Sequence, residues 1–245
     1  MPTTPEGRRP LKSRDQPFFQ HLAAALARAG VSPNAISCSS ILFGAAAGLA
    51  LAVTTWVPPD TQRIAWLAAA VCIQLRLIAN LLDGMVAVEG RRGGPTGELW
   101  NEAPDRLADA FIFIGAGFAA GSAPLLGFGA ALLAVLVAYV RALGASVGAG
   151  QIFLGPMAKP HRMFVLTVLS IAGTLFPITV SRPRLAYRLY EPVPASLNHA
   201  YTEIAHGNLP VSVVSVVLAV IILGCVITAI RRLTRIASFL RSKAS

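Results

Sequence analysis

Between residues 80 and 109 the chain sets oxygen-bearing side chains at helical spacing beside small residues. Asn80, Asp83, Gly84 and Ala87 stand at i, i+3, i+4 and i+7, so on a helix they share one face. Gly97, Asn101, Asp105 and Asp109 follow at intervals of four, with Glu102 about 100° round the helix from Asn101. Oxygen donors converging from two such faces suit a hard divalent cation, Mg2+ or Mn2+. That ion would neutralise phosphate oxygens during a displacement at phosphorus. Gly84, Ala87 and Gly97 would leave room for a flat or bulky ligand against the backbone. A plainer alternative stays open: Arg76 is one turn from Asn80 and Arg106 adjoins Asp105, so the acids could simply pair with these arginines and hold helices together.

The elements that carry these residues are membrane helices. The chain has 245 residues, of which 55% are hydrophobic and only 13% charged, with a mean hydropathy of +0.63. That balance excludes an ordinary soluble domain, which needs more polar surface. Apolar runs predict six spans near 35–56, 64–88, 98–120, 125–146, 162–180 and 209–230, each long enough to cross a hydrocarbon core. The fold class expected is therefore an all-α integral membrane protein of six transmembrane helices. In this scheme the first acid face closes the second span and the other opens the third, with a short connection making the two helices antiparallel neighbours.

Charge placement gives an orientation. Of 21 Lys and Arg, fifteen fall in the tails and in the 89–97 and 141–162 connections. The positive-inside rule then puts both termini in the cytoplasm, with Arg182, Arg184 and Arg188 as the exception. The net charge of +10 borders a membrane, so it implies anionic lipid heads and phosphorylated substrates rather than nucleic acid. No cleavable signal peptide is expected, because a basic tail precedes the first span and more spans follow. Cys38, Cys72 and Cys225 fall inside spans without a pairing pattern and are expected as free, packed thiols.

Residues 1–16, rich in Pro, Arg and Thr, have the composition of a disordered basic tail. Then "PFFQHLAAALARAG" puts Phe18, Leu22, Ala25, Leu26 and Ala29 on one stripe, as in a short amphipathic helix lying in the membrane interface. In "GVSPNAIS" Gly30 suits a helix stop, Ser32 a cap and Pro33 a first helical turn. Gly44 and Gly48 form a small-xxx-small pair, which serves either packing within the chain or dimerisation. The membrane domain is taken as 17–230 and the basic cytoplasmic tail as 231–245. In the 181–208 loop, His199, Glu203 and His206 would share a helical face, but an interfacial helix on the far side fits better than a metal site. "GASVGAG" (144–150) lacks the Lys-Ser/Thr of a phosphate-binding loop and is read as a flexible connection.

The acidic region resembles the signature of the CDP-alcohol phosphatidyltransferase family, D-x2-D-G-x2-A-R-x8-G-x3-D-x3-D. Here it reads Asn80-x2-Asp83-Gly84-x2-Ala87-Val88-x8-Gly97-x3-Asn101-x3-Asp105. Every spacing fits, while two aspartates have become asparagine and the arginine has become Val88. The likeness extends to "GVSPNAIS", "YVRA" (139–142) and "GPMAKPHR" (155–162), and so covers most of the chain. It implies six membrane helices and transfer of a phosphatidyl group from a CDP-linked lipid to a small alcohol, with release of CMP; a homodimer is the assembly expected. It also implies a divalent metal held by Asp83 and Asp105 with Asn80 and Asn101 as neutral donors, and Asp105 as base for the acceptor hydroxyl. Glu102 and Asp109 would restore the missing charge as a further metal ligand and a further catalytic acid. Gly84, Ala87 and Gly97 would border the cytidine, Arg91 or Arg92 would replace the lost arginine at the diphosphate, and Arg141, Lys159 and Arg162 would receive the acceptor. A catalytically weak homologue and a small cation-coupled transporter are the competing readings. Acids at helix ends, away from the midplane, speak against the transporter.

Overall fold

The computed structural model describes residues 16–89, 97–176 and 212–244, and the described residues are helical with connecting turns. The helices are α1 (Pro17–Arg28), α2 (Pro33–Val53), α3 (Pro59–Glu89), α4 (Gly97–Gly117), α5 (Pro124–Ser146), α6 (Lys159–Leu175) and α7 (Val213–Ala244). Each of the six expected spans thus coincides with a helix among the described residues. Four of them, α2, α3, α5 and α7, are long and apolar enough to cross a membrane by length and composition. The other two differ for physical reasons. α4 carries Glu102, Asp105, Arg106 and Asp109, which lower its apolarity, and the helical part of α6 is 17 residues, about 25 Å at 1.5 Å per residue.

Contacts run from α2 to α4, α5, α7, α6, α3 and back to α2, so six helices close a ring. Small residues set its tightest seam. A Cβ on Gly44 would come within 2.7 Å of Ala108, and one on Gly48 or Gly115 would overlap the backbone of the facing helix. The Gly44–Gly48 pair is therefore spent on α2–α4 packing inside the chain, and any dimer must use another face. This seam also corrects the expected layout of the acids. α3 and α4 meet over only a short stretch. α2 wedges between them along most of their length, so the two acid faces look at each other across the inside of the ring.

α1 docks rather than lying free. Phe19, Leu22, Ala23, Leu26 and Ala27 pack against Ile36, Ala79, Leu82 and Val86, while Phe18 is 68% exposed. The contact face is rotated from the expected stripe, because an alanine-rich helix is apolar over most of its circumference. Ser32 caps α2 as its type predicts, accepting from the Ala35 N–H at 3.1 Å, and Gly30 takes a φ of +80° where α1 stops. At the far end of the chain there is no break at residue 230. α7 runs on as one helix, and Arg232, expected in a tail, is buried and donates to the carbonyls of Val137 and Leu154 at 2.9 Å each. The three cysteines are free, and Cys38 is exposed rather than packed.

Candidate functional site: a buried cluster of acids and cations

Three helices supply the cluster. α3 gives Arg76, Asn80 and Asp83 from one face, α4 gives Asp105 and Asp109 one turn apart, and α6 gives Lys159 and Arg162 from its first turn. A charge inside an apolar bundle persists only with a partner, and each finds one here. Arg76 is fully buried. Its Nη2 donates to Asp105 Oδ1 at 2.9 Å and lies 2.6 Å from Asp109 Oδ1. The second contact is an ion pair off the N–H direction, since Asp109 Oδ1 has no hydrogen bond. Arg162 Nη2 reaches Asp109 Oδ2 at 3.4 Å, its Nη1 donates to the Met157 carbonyl at 3.0 Å, and its guanidinium sits over the Phe113 ring. Arg76 Nε and Nη1 and Arg162 Nε have no hydrogen-bond partner among the described residues.

Lys159 connects the two acid faces. Its ammonium donates to Asn80 Oδ1 at 2.5 Å and to Asp105 Oδ2. Asp83 stands apart on the same face. Its Oδ2 accepts from Ser37 Oγ on α2 at 2.7 Å and its Oδ1 from the Gly84 N–H, with Asp105 and Lys159 near enough for their charges to act on it. Asp83, Asp105 and Asp109 thus balance Arg76, Lys159 and Arg162. Gly84 and Gly97 differ from the seam glycines, because a Cβ at either would meet nothing within 4 Å. Their small size serves no packing partner among the described residues and leaves the backbone open.

The remaining candidates separate by helix face. Glu102 does not join the acids. It projects to the rim, where Arg141 on α5 donates to it at 2.5 Å and Arg106 pairs with it from one turn along α4. Arg141 also reaches Gln151 at 3.5 Å and lies against Phe153. No three of Asp, Glu, His or Cys among the described residues form a metal-holding group. The convergent hard-oxygen pair is instead Asn80 with Asp105, and it already holds a cation, the Lys159 ammonium. In donor chemistry this pair therefore fits a hard metal ion. Ala87 lies in α3 beyond Gly84; Arg91, Arg92, His199, Glu203, His206 and the side chain of Asn101 lie outside the described residues. Sequence reasoning gave no role to Ser37, although its place one turn after Pro33 puts it at the level of Asp83. Two shallow cavities, of about 340 and 420 Å³, lie between Leu154 of the α5–α6 connection and Arg235 and Ser238 of α7 and include none of the acids.

No family model matches the chain. It is 30% identical over 165 residues to the phosphatidylinositol phosphate synthase of Mycobacteroides abscessus, covering 63% of this chain and 67% of that protein. It is 23% identical over 166 residues to the inner membrane protein YnbA of Escherichia coli, covering 66% of this chain and 80% of that one. In fold it resembles the phosphatidylinositol phosphate synthase of Mycobacterium tuberculosis. The crystal structure with CDP-DAG bound gives a TM-score of 0.63 at 16% identity, covering 89% of this chain and 92% of that one. The structure with manganese and citrate gives 0.63 at 16% identity, covering 89% and 88%.

Proposed function

The chain belongs to the CDP-alcohol phosphatidyltransferase family, and we propose that the cluster around Asp105 is its catalytic centre. The reaction moves a phosphatidyl group from a CDP-activated lipid such as CDP-diacylglycerol to an alcohol, releasing CMP. The acceptor oxygen bonds to the lipid-bearing phosphorus. The bond from that phosphorus to the bridging oxygen breaks, and CMP leaves with that oxygen and its electron pair. The hydroxyl proton goes to a carboxylate, and Asp105 is the residue for it. Arg76 holds one of its oxygens, while the other faces Lys159, which keeps 22% of its side chain exposed at the mouth of the cluster.

A bound Mg2+ or Mn2+, held by Asp83 and Asp105 with Asn80 and Asn101 as neutral donors, would neutralise the diphosphate as charge moves to the leaving group. The chain's own residues do the rest. Gly84 and Gly97, with Ala87 beside them, admit the cytidine against open backbone, and Arg91 or Arg92 meets the diphosphate. Asp109 fixes Arg76 and Arg162. Arg141, Lys159 and Arg162 receive an acceptor that carries a phosphate; inositol phosphate is the first to test, given the name of the M. abscessus relative. All six ring helices cross the inner membrane, with both termini cytoplasmic. Outward Leu107 and Phe111 on α4 and Phe164, Val168 and Ile171 on α6 support the two less apolar spans.

The observation that carries this reading is the meeting of Asn80 and Asp105, from the two halves of one spaced signature, on a single cation. Membranes containing the chain should release CMP from CDP-diacylglycerol with a phosphorylated acceptor, and chelation of divalent ions should stop it. Free inositol and serine should serve poorly. Absence of CMP above empty membranes with every acceptor in the panel would leave a non-catalytic homologue.

A further inference from the structure

We infer that the Lys159 ammonium is a tethered stand-in for the divalent cation, occupying the Asn80–Asp105 oxygens until the ion displaces it. This rests on the metal reading above and adds that the two cations bind in competition. Both need Asp105 Oδ2, and an ammonium within hydrogen-bond reach of that oxygen and of Asn80 Oδ1 leaves no room there for a second cation.

Only one of the three cluster cations is built to leave. Arg76 is fully buried in the middle of a 31-residue helix, and Arg162 is buried and tied to Asp109, the Met157 carbonyl and the Phe113 face. Lys159 is the first residue of α6 and keeps 22% of its side chain exposed. Its four-carbon stem can swing outward while its backbone stays in place. The asparagine at position 80 fits this role. It holds the ammonium through a neutral oxygen, so one charge rather than two must be given up on exchange.

Charge balance points the same way. With three acids against three cations the cluster is neutral, and a divalent ion entering without a departure would leave two surplus positive charges. Exchange for Lys159 leaves one, which the anionic diphosphate of the lipid substrate offsets. The freed ammonium then lies outside the cluster mouth, where it can meet the acceptor's phosphate, so ion loading precedes acceptor binding.

Mn2+ binding to the full chain in detergent, followed by electron paramagnetic resonance of the free ion, tests this without turnover. Lys159→Met should bind Mn2+ about tenfold more tightly than the parent protein, since one competing charge is gone. On the unaltered chain, acetylation of Lys159 read by mass spectrometry should run several-fold faster in saturating Mg2+. Lys12 and Lys243, the other two lysines, serve as internal references. Equal or weaker Mn2+ binding by Lys159→Met, or acetylation unmoved by Mg2+, overturns the exchange and leaves the metal reading standing. Absence of Mn2+ binding to both proteins overturns the two together.

Discussion

Less than one turn of α4 separates two charged groups that solve the same problem in opposite surroundings. Glu102 holds Arg106 and Arg141 at the rim, with 43% of its own side chain exposed. Asp105 and Asp109 hold Arg76, Lys159 and Arg162 in the interior, where the two acids keep 8% and 2% of theirs. At the rim, solvent competes for the partners and the pairing contributes little. Inside, each charge has given up its hydration and depends on the others. The inner group therefore fixes the chemistry, while the outer one is free to rearrange.

The largest effect should come from Arg76. Arg76→Met leaves Asp105 and Asp109 buried without their shared guanidinium, a loss of about 3–5 kcal/mol for a buried pair broken from one side. The measurement is retention of the monodisperse folded protein in detergent during a thermal ramp. A transition within a few degrees of the parent would mean that Lys159 and Arg162 suffice for the two acids, and the inner group would then resemble the rim.

Next come changes that remove chemistry and spare the fold. Asp83→Asn keeps an oxygen for the Gly84 N–H and turns the other position into an amide that donates to the Ser37 hydroxyl, but it removes a proposed charged metal ligand. CMP release should fall below detection while the protein stays inserted and monodisperse. Turnover within about tenfold of the parent, roughly 1.4 kcal/mol in the barrier, would take Asp83 out of the reacting group and leave it as a cap between α2 and α3.

How much of this contrast was legible in the sequence depends on distance along the chain. The faces of α3 and α4 follow from period alone, so Asn80, Asp83, Asp105 and Asp109 were found as inward residues, and Ser32 and Pro33 announce the start of α2 by their types. Arg76 was visible as a partner for the acids. That it takes Asp105 and Asp109 together depends on α3 and α4 facing across the ring, which the Gly44–Gly48 seam decides and no local rule encodes. Lys159 lies 79 residues from Asn80, and only the packing of α6 on α3 brings them together. Arg232 was misplaced because a count of loop charges carries no information on whether the helix continues.

Arg141 sharpens the comparison from the rim side. Its guanidinium is already on Glu102, so a phosphate-bearing acceptor must share it or take it over. Arg141→Ala should raise the apparent KM for the acceptor by about tenfold or more, the scale of a lost charged hydrogen bond, and hardly move that for the CDP-lipid. Arg141→Lys should recover part of the loss, since a point charge lacks the guanidinium fork. An unchanged acceptor KM would make Arg141 a structural rim residue and leave the acceptor to Lys159 and Arg162.

The smallest effect belongs to Glu102→Gln. The amide keeps one oxygen for Arg141 or Arg106 and loses the charge they share. Because the group is half-exposed, the stability change should stay under about 1 kcal/mol, against several for Arg76→Met. The sign at the acceptor should be the reverse of that for Arg141→Ala: a guanidinium released from its carboxylate is more available to a phosphate, so the acceptor KM should fall two- to threefold, about half a kcal/mol. This gain should shrink as ionic strength rises, since screening already loosens the parent pair. A stability loss of several kcal/mol would mean that Glu102 belongs to the inner group despite its exposure. A rise in acceptor KM would mean that Glu102 positions Arg141 for the phosphate rather than competing with it.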